Sequence, residues 1–460
     1  MPGRFYLILP LILAALGATH APAGDETDSS ADSEPVPAAQ PSEPKPRTLK
    51  ASDPRRVARA SATPPITPAA ASPSKAPAAK GSPPNAAAPK VALPADPRHA
   101  EAALTALGAE VEWVQTPDGR QLRMARWNGG DDGLEQLQNL PGLLWLDLEG
   151  TTVTDAGMAK VGLLTQLQGL KLGNTRITDK GLRYLRTLRS LEGLSLAGTK
   201  ISDAGLESLK SLLQLRTLNL SETAVGDDGL PALKVHRHLD ELQLNGTKIT
   251  DAGLAEFKTL VRLRTLQLNA TDITDEGLAH LRKTPQIEKL WLGDTGVTDA
   301  GLVHLRVLPR LKHLFLNGTE ITDAAVEELA NLRALTWLDL SHTEFGDDGM
   351  AQLATFVRLE MLILDGTQVS NEGANQLVSL VNLGFLGLAE TDIDDTALSA
   401  IARLRQLEVL NLDNTPVTDA GVTLLGDLPK LHSLRLHGTK VTDAYAKAIA
   451  RAVPTLDLVR

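Results

Sequence analysis

From residue 143 onward, the hydrophobic and polar positions of the chain repeat every 24 residues. Threonine occurs at position 151 and then at every twenty-fourth position to 439, thirteen times in all. Relative to this threonine, called position 0, leucine occupies −5 and −3 in every unit, beginning with Leu146 and Leu148. Position −8 is leucine in twelve units and Ile287 in the other. A fixed period of this length predicts an array in which each unit packs mainly against its neighbours.

Each unit predicts a short strand followed by a helix. The Leu-x-Leu pair has a period of two, so both leucines face the same side of a strand. After the threonine the apolar spacing becomes helical, as in Leu302 and Leu305. Asp stands at +4 in twelve units and commonly follows Thr or Ser, which indicates a helix N-cap. Gly at +6 in ten units allows successive helix starts to pack closely. Because all units share one phase, their strands are predicted to form a parallel sheet. The helices are predicted to pack against the leucine-bearing face of that sheet.

The unit Leu-x-x-Leu-x-Leu-x-x-Thr-x-Ile-Thr-Asp-x-Gly-Leu-x-x-Leu resembles a leucine-rich repeat. It is similar to the cysteine-containing, ribonuclease-inhibitor-like class, with Thr where Asn or Cys is usual, and to repeats of exported planctomycete-type bacterial proteins. The resemblance covers residues 119–460. It implies an α/β solenoid, a curved horseshoe of about 14 repeats with a parallel β-sheet on the concave face and short helices on the convex face. It also implies a recognition scaffold, without identifying the partner.

The ends of the array are less regular. Trp127 stands where the threonine is expected, and Asp131, Gly133 and Leu134 fall on +4, +6 and +7. We therefore expect an N-terminal cap at 98–121 and a solenoid at 122–460 that begins with a degenerate first repeat. Leu456 and Leu458 indicate an incomplete last turn, one residue out of register.

The first 97 residues are predicted to lie outside this fold. An apolar run from Phe5 to Ala18, followed by Ala21-Pro22-Ala23, is typical of a signal peptide over 1–23, and an uncleaved membrane anchor is the alternative. Residues 24–97 hold 16 of the 27 prolines and no aromatic residue, which predicts a disordered Pro/Ala/Ser-rich tether. The protein is therefore expected to be exported to the periplasm, the cell surface or the extracellular space.

Composition narrows the possible chemistry. The chain has no cysteine, which excludes disulfides, thiolate metal sites and a cysteine nucleophile. The formal net charge is −10, and residues 98–460 alone carry −12. An acidic array argues against nucleic acid as the ligand, because the negatively charged phosphates of nucleic acid bind to basic protein surfaces. No esterase elbow, phosphate-binding loop or dinucleotide fingerprint occurs, so the sequence predicts no enzyme and no cofactor.

One stretch of the predicted concave face differs from the rest. Positions −6, −4 and −2 point away from the leucines and are mostly small or polar, as in Gly169, Lys171 and Asn219. Later units carry bulky apolar residues at these positions, which we call the partner patch: Trp291, Phe315, Trp337, Met361, Ile363 and Phe385. Lys289, His313 and Asp339 are its predicted polar neighbours, and Trp145 stands apart near the N-terminal cap.

Clustered outward aromatic residues favour a protein or peptide partner. Two other interpretations remain: these side chains pack only against one another, or the N-terminal segment folds over them. The function predicted is an exported, non-enzymatic protein-binding scaffold. A structural component of the cell envelope is the alternative, and a ubiquitin-ligase-type substrate receptor is a weaker one, because its adaptor-binding motif is not found here.

Other polar motifs have simpler structural interpretations. The Asp series at +4 is expected to cap helices rather than to bind calcium. His236 and His238 lack a third ligand for a metal site, and His280 and His304 recur because of the repeat register. The sequence therefore predicts no catalytic residue and no metal ligand.

Overall fold

The computed structural model describes residues 105, 109–116, 119–139, 142–453 and 455–459. These residues belong to one compact unit, Asn85–Arg460. The predicted signal peptide and tether lie outside the described residues, as does most of the predicted cap before residue 109.

Sixteen strands form one open sheet, and their order in space follows their order in the chain. The first two pair antiparallel, and every later pair is parallel. The strands are β1 Ala109–Thr116, β2 Gly119–Trp127, β3 Trp145–Asp147, β4 Gly169–Lys171, β5 Gly193–Ser195, β6 Thr217–Asn219, β7 Glu241–Gln243, β8 Thr265–Gln267, β9 Lys289–Trp291, β10 His313–Phe315, β11 Trp337–Asp339, β12 Met361–Ile363, β13 Phe385–Gly387, β14 Val409–Asn411, β15 Ser433–Arg435 and β16 Asp457–Val459. The leucine-rich-repeat solenoid predicted from the sequence is confirmed.

Short helices connect the strands. Many begin with a single α-helical turn that continues as a 3-10 helix, and the segment Asp227–Val235, which contains Pro231, is 3-10 throughout. The α-helices are Asp155–Val161, Asp179–Leu182, Asp203–Leu206, Asp251–Leu254, Asp275–Leu278, Asp299–Leu302, Ala325–Leu329, Asp347–Leu353, Asn371–Ala374, Asp395–Ile401, Asp419–Leu424 and Asp443–Ala452. The other 3-10 helices are Leu134–Asn139, Arg183–Thr187, Glu207–Ser211, Ala255–Thr259, Ala279–Lys283, Val303–Val307, Asn375–Ser379 and Leu425–Asp427.

The core is a continuous stack of leucines between the sheet and the helices. Leu290 and Leu292 at −5 and −3 are fully buried, as are Val297 at +2 and Leu302 at +7. Corresponding residues in successive units meet, since the strands pair leucine to leucine across the sheet. Burial of this apolar area supplies the main favourable free energy of the array.

The threonine at position 0 closes the turn of its own unit. In each of the thirteen units its hydroxyl donates a hydrogen bond of 2.5 to 2.8 Å to the carbonyl of the leucine at −3. A buried carbonyl at a sharp turn would otherwise lack a partner. These hydrogen bonds are internal to each unit.

The residue just before this threonine adopts a left-handed backbone conformation in all thirteen units, with φ between 53° and 73°. Glycine fills six of these positions, and Asn, Asp, Glu, His and Ala fill the others. Asn174 precedes Gly198 by one unit, and its side chain occupies the space that a Cβ at Gly198 would need. Side chains at this position therefore favour glycine in the following unit.

The Asp at +4 joins one unit to the next. Asp275 Oδ1 accepts a hydrogen bond from the backbone amide of Thr298 at 2.8 Å, and its Oδ2 accepts one from the Thr298 hydroxyl at 2.7 Å. The hydrogen bond to the backbone amide recurs along the array from Asp131–Thr154 to Asp419–Thr442, with Asn371 as the acceptor in one unit. The sequence predicted a cap, and the structure adds that each carboxylate holds the N-cap residue of the following helix.

This carboxylate explains the glycine at +6. A Cβ placed on Gly301 would overlap Asp275 Oδ1, and the same overlap recurs at the glycines in this position along the array. In the unit that carries Ala325 instead, the helix begins at Ala325, two residues later than usual. Close packing of helix starts was therefore predicted correctly, and the contacting atom is a neighbouring carboxylate.

The first repeat differs from the sequence prediction. Ala125 pairs with Leu146, so Trp127 aligns with the leucine at −3 and not with the threonine. Trp127 is 1 % exposed, and its indole nitrogen donates to the Gly130 carbonyl at 3.0 Å. The large ring fills the end of the leucine core, and the turn that follows is three residues shorter. Asp131 nevertheless bonds Thr154, as the Asp at +4 does in the later units.

The register of the last strand also differs from the sequence prediction. Leu458 pairs with Leu434 in the regular register of the array, so β16 is not displaced by one residue. The displacement concerns only Leu456, which lies before the strand.

We predict that Asp275→Ala destabilises the array by about 2 kcal/mol, because the Thr298 amide and hydroxyl lose a charged acceptor. Asp275→Asn should cost less, since an amide oxygen can keep the bond to Thr298, as Asn371 does for Asp394. Urea unfolding, combined with hydrogen exchange at Thr298–Leu302, measures both effects.

The matched control is Asp272→Ala, which removes an exposed carboxylate three residues away and should change stability by less than ~0.5 kcal/mol. Equal losses for the Asp272 and Asp275 alanine variants would contradict a specific role for the inter-repeat bond.

Candidate functional site

The partner patch lies on the sheet face opposite the leucine core, over β9 to β13. Strand pairing places Phe315 beside Trp291, and Trp337 beside Met361. Met361 in turn pairs with Phe385. Corresponding atoms on adjacent strands are ~4.8 Å apart, so these side chains form two neighbouring rows. The structure thus brings together all six residues named from the sequence, with Ile363 beside Asp339.

Two pairs of rings are stacked within this surface. Trp291 and Phe315 lie 4.8 Å apart with an interplanar angle of 5°. His313 and Trp337 lie 3.9 Å apart at 12°. Stacking across strands orders the rings and leaves part of their faces available for contact. Trp145, on β3, is separate from the partner patch and 37 % exposed.

The patch is more buried than the sequence suggested. Trp291 and Phe315 are half-buried, whereas Met361 is only 1 % exposed and Phe385 only 5 %. These side chains remain distinct from the leucine core cluster. Crowding across adjacent strands contributes to this burial, because Met361 lies between Trp337 and Phe385.

His313 acts as a neutral ring within the patch. Burial, and to a lesser degree the charges of Lys289 and Lys312, lower the pKa of its imidazole to about 3. The ring is therefore uncharged at physiological pH and extends the row begun by Trp337. A charged imidazole at this place would be unfavourable beside two lysines.

Two buried carboxylates border the apolar residues. Asp339 Oδ1 accepts from the Ser341 amide at 2.9 Å and from its hydroxyl at 2.6 Å. Asp365 Oδ1 accepts from the Ala389 amide at 2.7 Å, and Oδ2 accepts from Asn411 at 3.1 Å. Burial raises the pKa of both carboxyls, and the nearby negative charges of Asp339 and Asp413 help raise that of Asp365 to about 7.

Asp365 was not predicted from the sequence, although Asp339 was. Asp365 and Asp413 occupy −2, on the same outward face as the patch, and the alignment of repeats would have shown this. The missing information was burial, because a polar residue on an outward position was expected to be solvated. Asp413 is paired with Arg435 at 2.7 Å.

The other polar candidates serve the fold. The Asp series at +4 bonds N-cap residues, as described above. His236 is fully buried at a position that holds leucine in the neighbouring units, and its Nδ1 lies 3.1 Å from the Leu212 carbonyl. Within the described residues, no group of three or more His, Asp or Glu side chains is arranged to hold a metal ion. In that same part of the chain, no helix is long and apolar enough to cross a membrane.

The fold defines the class of solenoid repeat proteins. A family model described as "Leucine Rich repeat" matches residues 187–210, 214–234, 235–258 and 332–354. The chain contains leucine-rich repeats, and its fold is the leucine-rich-repeat solenoid. Comparison with curated protein sequences gives no match.

Solved structures share this fold. An internalin (inlF) from Listeria monocytogenes is 26 % identical with a TM-score of 0.51, and the match covers 67 % of this chain and 86 % of that one. A leucine-rich-repeat protein from Leptospira interrogans is 19 % identical with a TM-score of 0.45, over 71 % of this chain and 91 % of that one. The TLR13–ssRNA13 complex is 21 % identical with a TM-score of 0.48, over 74 % of this chain and 54 % of that one.

His236 predicts a pH-dependent stability. Burial lowers the pKa of its imidazole, so below the unfolded value near 6.5 the unfolded chain binds more protons than the folded one. Stability is retained above that pH and decreases as the pH falls below it. His236→Leu should therefore raise the melting temperature, by more at pH 5 than at pH 8.

The control is His238→Gln, because His238 lies two residues away and is exposed. An equal shift for His236→Leu at both pH values would show that protonation of His236 is not the cause.

Proposed function

We propose that this protein is an exported, non-enzymatic scaffold that binds a protein or peptide on its concave face. One observation carries the proposal: aromatic and apolar side chains cluster on the outward strand face over β9–β13, with Trp291 and Phe315 partly exposed, whereas that face is mostly small or polar from β4 to β8. Stacked solenoid repeats present extended concave surfaces of this kind for binding. Aromatic side chains contribute strongly to binding free energy, and contiguous apolar surface commonly marks an interaction site.

The geometry of the patch supports a protein or peptide as the ligand. Five adjacent strands span ~20 Å, which is the length of about six extended residues. The partly exposed rings of Trp291 and Phe315 lie at one end, and the buried carboxylates lie beside Ile363 and Gly387. A partner that crosses the strands would therefore meet aromatic faces first and acidic groups afterwards. The acidic array makes nucleic acid an unfavourable ligand, because its phosphates would be repelled.

Export is supported by the N-terminal sequence. The apolar run ending at Ala18 is shorter than the ~20 residues required to span a bilayer, and small residues suitable for cleavage follow at 21–23. The Pro-rich residues 24–97 would then separate the solenoid from the point of export or attachment. A purely structural role in the cell envelope is the alternative, and it requires no specific partner on the patch.

The binding site can be tested by placing a photo-crosslinking amino acid at Phe315 in the native cell. We expect one or a few specific adducts, because the Phe315 ring is half-buried at the open end of the patch. The purified adduct partner should bind the wild-type protein, and Phe315→Ala should weaken that binding at least tenfold, with an unchanged melting temperature.

Position 145 provides the matched control, since Trp145 lies on the same sheet face but outside the patch. Equal adducts from positions 145 and 315, or no adduct from position 315, would contradict a binding site at the patch and favour a structural role.

Signal cleavage has a direct test. N-terminal sequencing of the mature protein should begin at or near Gly24, because Ala21-Pro22-Ala23 provides small residues at the cleavage site. Recovery of Met1 or Pro2 would show that the segment is retained, and would support the membrane-anchored alternative.

A further inference from the structure

Asp339 and Asp365, called here the acidic pair, are carboxylates without a cationic partner among the described residues. They are 9 % and 7 % exposed. Their hydrogen bonds come from neutral groups: the amide and hydroxyl of Ser341, the amide of Ala389 and the side-chain amide of Asn411. Buried charges are normally paired, because removal from water is costly.

The same two positions are paired elsewhere in the array. Asp147 occupies −4, as Asp339 does, is 2 % exposed and contacts Arg126 at 3.3 Å and Lys171 at 3.6 Å. Asp413 occupies −2, as Asp365 does, and contacts Arg435 at 2.7 Å. In both cases a cation is supplied by position −4 of the next strand.

The next strands offer no cation to the acidic pair. Ile363 stands where Lys171 would pair with Asp339, and Gly387 stands where Arg435 would pair with Asp365. A Cβ on Gly387 would lie 2.7 Å from Asp365 Oδ1 and 3.0 Å from Ile363 Cγ2. Gly387 therefore supplies no charge to this carboxylate, and the side chains of Asp365 and Ile363 fill the space that a side chain there would need.

Aromatic rings border this acidic surface. Trp337 precedes Asp339 by two residues on β11, and Phe385 precedes Gly387 by two residues on β13. Both rings belong to the same outward face as the acidic pair, because side chains two residues apart point to one side of a strand. Aromatic faces attract cations, and a guanidinium group binds carboxylates through two parallel hydrogen bonds.

We propose that the acidic pair and the neighbouring rings receive an arginine side chain of the partner, whose guanidinium supplies the positive charge that Lys171 and Arg435 supply elsewhere in the array. This inference rests on the proposed function and specifies the chemistry that the partner must present. Arginine is preferred over lysine, since its planar group reaches two carboxylates and stacks on a ring.

The ionisation of the pair supports this assignment. The carboxyl of Asp365 has its pKa raised to about 7 by burial and by the charges of Asp339 and Asp413. The other charged groups nearby are Arg435, already paired with Asp413, and His342, which favours the ionised form of Asp339. A bound cation stabilises the carboxylate form, so binding at neutral pH should release protons.

The test is calorimetry on the full chain with an acetylated Gly-Ala-Arg-Ala-Gly amide and its citrulline counterpart, which has a neutral group of nearly the same shape. The arginine peptide should bind with a Kd of about 1 mM or tighter, and the citrulline peptide at least tenfold more weakly. The binding enthalpy at pH 7 should vary with the ionisation enthalpy of the buffer, and Asp365→Asn should remove that dependence.

Two variants of one residue separate charge from packing. Ile363→Lys places a cation where Lys171 stands relative to Asp147, and it should abolish binding of the arginine peptide. Ile363→Met keeps a neutral side chain of similar volume and should retain binding. Asp147→Asn, at the paired counterpart of Asp339, should also retain binding. Melting temperatures identify any variant that fails to fold.

Equal binding of the arginine and citrulline peptides, or no binding of either at ~10 mM, would overturn the arginine assignment. The proposed function would survive that result if the partner crosslinked at position 315 still bound and depended on Phe315. Loss of the specific crosslink would instead refute the proposed function itself.

Discussion

The architecture depends on the hydrogen bonds that join each turn to the next at the helix N-termini. Burial of leucines favours compaction, but apolar contact is non-directional and does not fix which turn lies beside which. The carboxylate of Asp275, bonded to both donor groups of Thr298, is directional and specific to the adjacent turn. Repeated along the chain, this bond sets the spacing of the convex side, while strand pairing sets that of the concave side. The same register therefore determines which side chains lie next to one another on the concave surface.

The repeat pattern predicted most of the fold, because its cause is local. Leu290 and Leu292 alternate with period two, and the helix after Thr298 follows from its cap and spacing. Trp127 was misplaced, since one bulky ring can replace a leucine when the turn after it is shortened. Sequence periodicity alone does not show such a compensation. Likewise, it identified Asp275 as part of a helix start without revealing that its carboxylate bonds Thr298, the N-cap residue of the helix in the next unit.

The residues of the candidate site could be predicted from the sequence, but their burial and their contacts could not. Trp291 and Phe315 stand out in a chain with few aromatic residues, and strand alternation places them on one face with Trp337. The burial of Met361 and Asp365 arises from neighbours one or two units away. It therefore depends on the exact contacts between side chains on adjacent strands. The importance of Asp365 becomes visible only through comparison with Asp413, which occupies the same position and has an arginine beside it.

The central claim is that a partner occupies the concave surface over β9–β13. Carbene footprinting of the full chain, with and without its native partner, tests this most directly, because labelling reports solvent access at individual side chains. The account predicts that protection on binding concentrates at Trp291 and Phe315, while exposed residues of the convex loops such as Val261 and Val381 remain labelled. Protection confined to the convex loops, or spread evenly over the array, would contradict it.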